Sequence, residues 1–455
     1  MPDIPKFAPP APEPKSPLRA LVSCLTAKRR DLLAMMPDTA YKMDIGWMGM
    51  SRRGILLVNR PDLVREVLVN RVAEFEKNDL FTGALAPLIN DGVFISHGET
   101  WKRQRAMVEP GFTHLHTGRA FDRMNAAVDD CIARLRRHAF KGESFSLDAE
   151  MTRLSADIIY RVIFSEPLGS GDATAMFAAF ERFQSHVANV NLTQFLFGKA
   201  FDPVQQPAEA MAAAAEIRRL LTAKIEHRLD SGEALDDLLG SMIAARDEHG
   251  SAFTVTEIVD QVAVFFLAGH ETTATTLTWI FYLLSNLPDE RRQLVKEIAG
   301  HCGDGVDAQN LRKLKRTRMA INEALRLYPP GAFLPRVSIA KTSLAGMRLK
   351  RGTMLLISPW IIHRHRNWWA DPNRFRPERF EKAAIKAIPI GAFLPFGLGG
   401  RACIGGAFSM AEASLVLAKL LPTFNFHVLD ANNVMPAVHL TLRPQDPVFV
   451  KCEVL

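Results

Sequence analysis

The chemistry this sequence can support centres on one cysteine. Glycines crowd the string Phe396-Gly-Leu-Gly-Gly-Arg-Ala-Cys403-Ile-Gly405. They permit a tight loop with φ > 0 and let the backbone approach a bound group closely. Cys403 directly precedes a stretch that reads as the last helix, about Ile404–Leu421, ending at Pro422. Free N–H groups and the helix dipole at such a terminus stabilise a thiolate. A thiolate placed there is a nucleophile or a metal ligand. No histidine base lies nearby in sequence and an aromatic residue lies upstream, which favours axial ligation of a flat cofactor. The bland alternative is a buried, inert cysteine.

A second cluster, Ala268-Gly-His-Glu-Thr-Thr273, interrupts the most apolar stretch, Val262–Leu287. Glu271 beside Thr272 sets an acid next to an alcohol, a pair able to relay protons. Glycine costs a helix about 1 kcal/mol relative to alanine, so Gly269 points to a local bend or a close ligand. A polar kink satisfied by water is the alternative. Glu323-Ala-Leu-Arg326 places opposite charges at i, i+3; most such pairs are exposed and contribute only ~0.2–0.5 kcal/mol. Trp101-Lys-Arg-Gln-Arg105 adds an aromatic ring and cations.

Helices must position most of these groups. Thr254 and Glu257 fit a capping box, and Pro288 lies beyond the end of the same segment. The helix between them, some thirty residues, would span about 45–50 Å and be buried on most sides. Ala208–Arg228 is amphipathic at helical spacing. A further helix, about Arg316–Tyr328, stops at Pro329-Pro330. Tyr41–Met50 and Gly54–Asn59 read as two strands joined by a turn that carries Arg52 and Arg53. Short strands follow at Arg336–Ile339 and Gly352–Ile357. Asn78–Asp91, Leu168–Asp172 and Asn191–Pro207 read as loops. No repeat or dividing linker appears. The expectation is one large, mainly α domain with small β-sheets over 21–455, preceded by a flexible proline-rich segment over 1–20.

Composition is that of an ordinary globular protein: 455 residues, 48% hydrophobic and 23% charged. Wholesale disorder and coiled-coil architecture are excluded. The formal net charge is +7, a surplus that by itself chooses no partner. The five cysteines are scattered and odd in number, unlike a zinc site or a secreted disulfide framework. The N-terminus lacks the apolar centre of a signal peptide and the ~20 apolar residues of a membrane span. No membrane anchor is expected.

The cysteine loop resembles the haem-binding loop of the cytochrome P450 family at Phe396, Gly397, Gly399, Arg401, Cys403 and Gly405. Three further signatures follow the same family. The resemblance implies haem b (iron protoporphyrin IX) with Cys403 as axial ligand to the iron, as P450s use a Cys thiolate. It implies that Thr272 holds dioxygen and that Glu271 delivers protons for its cleavage, with Ala268 facing haem and substrate. Glu323, Arg326 and Arg379 of Pro377-Glu-Arg-Phe380 become a structural cluster behind the loop. Trp101, Arg105 and Arg401 become haem-propionate contacts, with Arg336, His363 and His97 as further ones. By regional resemblance the substrate chamber takes Phe81, Leu85, Val264, Ala268, Thr273, Ala332, Phe333 and Leu440, with Phe195 and Phe197 in a lid. Arg52 and Arg53 would anchor an anionic head or stand in a solvated turn.

The implied activity is a haem-thiolate monooxygenase that inserts one oxygen atom of O2 into an apolar small molecule by hydroxylation or epoxidation. Members that use no external electrons tend to lose the acid–alcohol pair, and a haem carrier would not need it; Glu271-Thr272 argues against both. Electrons are expected from a separate ferredoxin or flavodoxin with its NAD(P)H reductase. Lys102, Arg103, Lys313, Lys315, Arg316 and Arg318 would offer it a basic face. A cytoplasmic monomer that binds no nucleic acid completes the expectation.

Overall fold

The computed structural model describes residues 7–20, 32–33, 36–48, 51–113, 115, 118–169, 173–187, 198–303 and 305–455. The principal helices are α1 (Asp79–Ile89), α2 (Gly98–Phe112), α3 (Gly118–Lys141), α4 (Leu147–Phe164), α5 (Ala173–Val187), α6 (Ala208–Ser231), α7 (Val255–Ser285), α8 (Lys315–Leu327) and α9 (Gly406–Leu420).

The apolar stretch forms the 31-residue α7, about 46 Å long at 1.5 Å per residue. It starts on the capping box: the Thr254 hydroxyl accepts the Glu257 N–H, and the Glu257 carboxylate accepts the Thr254 N–H. From Ile258 to Leu284 it is buried except at Ala268, Gly269 and Thr272. Helices α4, α6, α8 and α9 pack around it, which is why its sequence is apolar on nearly all sides. Gly269 does not break the helix. A Cβ there would lie 2.9 Å from the Ile159 side chain, so the glycine lets α4 approach α7.

A five-stranded sheet flanks the helices in the order β1 (Ile45–Met48), β2 (Ile55–Val58), β5 (Met354–Ile357), β4 (Leu334–Ser338), β3 (Phe75–Lys77). Only β2 and β5 run parallel. A second pair, β6 (Pro436–Val438) and β7 (Leu442–Pro444), forms a hairpin near the C-terminus.

Three sequence expectations change. The segment Asn78–Asp91 is the helix α1 rather than a loop. Asn78 caps it, accepting the Leu80 and Phe81 N–H groups, while Gly83 and Pro87 obscure its period. The proline-rich lead-in is strapped onto the body from Phe7 onward. Phe7 packs edge-on against Tyr282, the Pro10 carbonyl accepts the Tyr328 hydroxyl at 2.8 Å, and Lys15 bridges Pro37. Arg53 is not in a solvated turn. Its buried side chain pairs with Asp79 and donates to the Lys199 carbonyl at 3.1 Å, whereas Arg52 is exposed.

Candidate active site

The cysteine loop is shaped by its glycines. Gly397 and Gly399 both hold φ of +75°, and a Cβ on Gly399 would lie 2.6 Å from the Leu68 carbonyl oxygen. The Cys403 N–H donates to the Phe396 carbonyl at 2.8 Å, closing the loop. The helix begins at Gly406, so Cys403 sits just outside its first turn. The thiol opens onto a cavity of about 1350 Å3 and is accessible there, although it lies deep in the molecule. Burial pushes the thiol up; the Gly405 N–H and the charges of Arg105 and Lys77 oppose this.

The same cavity is lined by the middle of α7, including Ala268, Glu271, Thr272 and Thr273. Ala268 is exposed into it from the centre of an otherwise buried helix. Glu271 and Thr272 do not bond to each other. The Thr272 hydroxyl donates to the Ala268 carbonyl at 2.7 Å. The Glu271 carboxylate accepts the Thr441 hydroxyl at 2.7 Å and the Gln184 amide at 3.0 Å. Burial raises its affinity for a proton, while Thr441 and Arg443 lower it.

One side of the cavity is cationic. Arg401 stacks over the Trp101 ring at 4.1 Å and one buried guanidinium nitrogen, Nη1, has no partner. Arg105 donates to the Ala402 carbonyl at 3.0 Å. Arg336 on β4 stands opposite Lys77 on β3 in the strand register. Lys77 lies over the Phe94 ring at 3.7 Å and donates to the Phe94 carbonyl. Among the described residues none of Lys77, Arg336 and Arg401 forms an ion pair. Burial, with repulsion from Arg336 and Arg401, pushes Lys77 well below its ordinary value. Burial with Arg401 pushes Arg336 down to about 10, and burial with Arg105 pushes Arg401 down to about 10 against the opposing charge of Glu76. Sequence reasoning missed Lys77, since nothing local distinguishes it; only its pairing with Arg336 does.

Behind the loop, Arg326 and Glu323 are fully buried and joined by two hydrogen bonds of 2.7 and 2.8 Å. Arg326 also donates to the carbonyls of His363, Pro372 and Arg374, and Arg379 reaches Glu323 at 3.3 Å. This is not the exposed pair that spacing alone suggests. His363 does not line the cavity. Its Nδ1 meets the Arg326 carbonyl at 3.1 Å and its Nε2 accepts the Leu394 N–H at 2.8 Å. Both ring nitrogens are spent, so a propionate role is corrected to a structural link between α8 and the cysteine loop. His97 lies outside the cavity lining too, with Nδ1 3.5 Å from Glu76.

The remaining expected residues sort cleanly. Phe396, Gly397 and Gly405 line the cavity, as do Phe81, Leu85, Val264, Ala332, Phe333 and Leu440. Phe195 and Phe197 lie outside the described residues. Three of the six cations of the expected basic face are paired within the molecule. Arg103 binds Asp247 and Glu257 at 2.7 and 2.5 Å, Arg316 binds Glu290 and Glu378, and Lys102 binds Glu99. A buried carboxyl on α9, Glu412, escaped the sequence reading. Ser155 donates to it at 2.8 Å. Burial pushes it up to about 8, with Ser155 and Thr273 opposing.

A helical body crossed by one long buried helix thus places a thiol and an acid–alcohol pair on one cavity. The cytochrome P450 family model matches residues 12–452, and the chain belongs to that family. It is 32% identical to a cytokinin hydroxylase of Arabidopsis thaliana over 89% of this chain and 79% of that one. It is 32% identical to pentalenene oxygenase of Streptomyces avermitilis over 84% of each chain. It is 31% identical to cyclooctat-9-en-7-ol 5-monooxygenase of Streptomyces melanosporofaciens over 89% and 86%. The fold matches the crystal structure of the cytochrome P450DA heme domain with a TM-score of 0.83, at 24% identity and 98% coverage of both chains. The protein is a cytochrome P450 monooxygenase acting on small molecules, with haem as its cofactor.

The residues present fit that group. An accessible thiol stands on a glycine loop, three cations without carboxylate partners await anionic groups, and Ala268 leaves space where a larger side chain would intrude. Among the described residues no helix is long and apolar enough to cross a membrane.

Proposed function

We propose that Cys403 is the axial thiolate ligand and that Arg401, Arg105, Trp101, Arg336 and Lys77 hold the haem propionates. One observation carries this reading: Cys403 and Ala268 are both exposed into the same cavity, on which Lys77, Arg336 and Arg401 form no ion pair among the described residues, while Arg105 pairs with Glu109 at 3.5 Å. When bound, haem activates O2 and transfers one oxygen atom. The chain supplies the rest. The apolar walls exclude water and orient the substrate. Glu271 offers a buried carboxyl whose proton affinity burial raises, and Thr272 offers a hydroxyl on the chamber wall. Glu323, Arg326, Arg379 and His363 keep the loop in register.

The substrate is a compact, largely apolar molecule, hydroxylated or epoxidised. Phe81, Leu85, Val264, Ala332, Phe333 and Leu440 supply apolar lining, and two relatives are named for pentalenene and cyclooctat-9-en-7-ol. The electron donor is a separate ferredoxin or flavodoxin with its NAD(P)H reductase. With Arg103 and Arg316 consumed internally, that contact rests less on charge than the sequence suggests. Free thiols at Cys131, Cys302 and Cys452 suit a reducing, cytoplasmic compartment, in which the protein works as a monomer.

The test is optical. The reduced, CO-bound protein should show the far red-shifted Soret band of thiolate ligation, and Cys403→Ser should abolish it. Persistence of the band in that variant overturns the ligand assignment. A panel of cyclic terpenes read by spin shift then tests the substrate class; binding confined to charged or flexible open-chain compounds overturns it.

A further inference from the structure

Glu271 is held by two elements other than its own helix. His270 Nδ1 meets the Phe266 carbonyl at 2.6 Å, which places the ring proton there and leaves Nε2 as an acceptor. Burial pushes this imidazole down to about 4, so it is neutral. The Gln184 amide then faces His270 Nε2 at 3.2 Å and donates to Glu271 Oε2 at 3.0 Å. The other carboxylate oxygen, Oε1, accepts the Thr441 hydroxyl at 2.7 Å. The ring nitrogen lies 3.4 Å from the Gln184 Oε1 as well, but as an acceptor it favours the amide N–H, and the amide and the hydroxyl together hold the carboxylate. Gln184 lies on α5 and Thr441 in the turn between β6 and β7. Both elements also line the substrate chamber, α5 through His186 and Val187, the turn through His439 and Leu440.

We infer that Gln184 and Thr441 are positioning residues that hold the Glu271 carboxyl away from Thr272 and couple its release to filling of the chamber. This rests on the monooxygenase reading above. A molecule that presses on Leu440 and Val187 moves the two elements that clamp the acid. In the structure the acid is held by Thr441 and Gln184, and the Thr272 hydroxyl is turned back onto the Ala268 carbonyl. The charged and titratable groups facing Glu271 are Arg443 on β7 and His270 on α7, with His186 and His439 on the same chamber.

Infrared titration of the resting holoenzyme tests this without turnover. The Glu271 carboxyl band is identified by its absence in Glu271→Gln. Thr441→Val removes a donor to the ionised form, so the band's titration midpoint should move up by about one pH unit. Thr441→Ser, which keeps the hydroxyl, should restore it. Gln184→Leu should shift it in the same direction and serves if Thr441→Val does not fold. In the wild type, filling the chamber with 1-phenylimidazole should displace the band, and in the two variants it should have little further effect. A midpoint unmoved in both variants, or a wild-type band indifferent to bound 1-phenylimidazole, overturns the clamp. Loss of the thiolate CO band in the wild type would instead overturn the underlying reading, so the two failures are distinct.

Discussion

Lys77 and Arg336 face each other directly across the antiparallel pair of β3 and β4. Like charges directly opposite destabilise a sheet, and here neither has an ion-pair partner among the described residues. A fold keeps such a conflict where a bound anion resolves it, and in the function proposed above the haem propionates would be that anion.

Lys77→Met should therefore act with opposite signs on the two forms. The apoprotein should melt higher, because a buried repulsion is removed. The holoprotein should lose haem about 10–100-fold faster, the equivalent of one charge-assisted hydrogen bond of about 1.5–3 kcal/mol. Haem transfer to an apoprotein acceptor measures the second effect and calorimetry the first. Equal destabilisation of both forms would contradict the assignment.

Removing Glu323 should be far costlier than its spacing suggests. Glu323→Ala strands Arg326 in a fully buried site, a loss of about 3–5 kcal/mol. Arg292→Ala, at an exposed pair with Asp289, should change stability by at most about 1 kcal/mol. Thermal denaturation of the two variants provides the comparison.

Thr272→Ala should fold and bind haem normally, since it loses only a hydroxyl bonded back to its own helix. Product formed per electron consumed should fall severalfold, with the balance appearing as peroxide. Unchanged coupling would remove Thr272 from proton management.

His363 and His270 are pushed down by burial to about 3 and about 4 from an ordinary 6.5. The unfolded chain binds their protons first as pH falls, so the stability they contribute is complete above pH 6.5 and drains away toward pH 3. Glu412 runs the other way. Raised from 4.5 to about 8, it stays protonated in the folded protein while the unfolded carboxyl ionises. Its contribution is complete below pH 4.5 and is lost as pH rises to 8. Stability should peak near pH 6, and Glu412→Gln should flatten the alkaline limb and steepen the acid limb above pH 4.5. Urea midpoints measured from pH 4 to 9 would show it; an unchanged alkaline slope would not fit.

The local motifs were legible because their physics is local. A glycine loop ahead of a helix, a capping box three residues wide and a proline stop each declare themselves within one or two turns of chain. They sufficed for the mainly α fold, the Cys403 loop, the acid–alcohol pair and the long buried helix that carries it. Tertiary structure decided what the same residues touch. Strand register set Lys77 against Arg336, and neither residue has a local signature. The Glu323–Arg326 pair reads as a surface pair until the chain from His363 to Arg379 closes over it. His363 belongs to that closure rather than to the cavity, because both its nitrogens are taken by backbone. Glu271 is legible as an acid, yet its clamp by Gln184 and Thr441 comes from α5 and the β6–β7 turn. Spacing along the chain specifies which groups are available, and packing between distant elements specifies their partners.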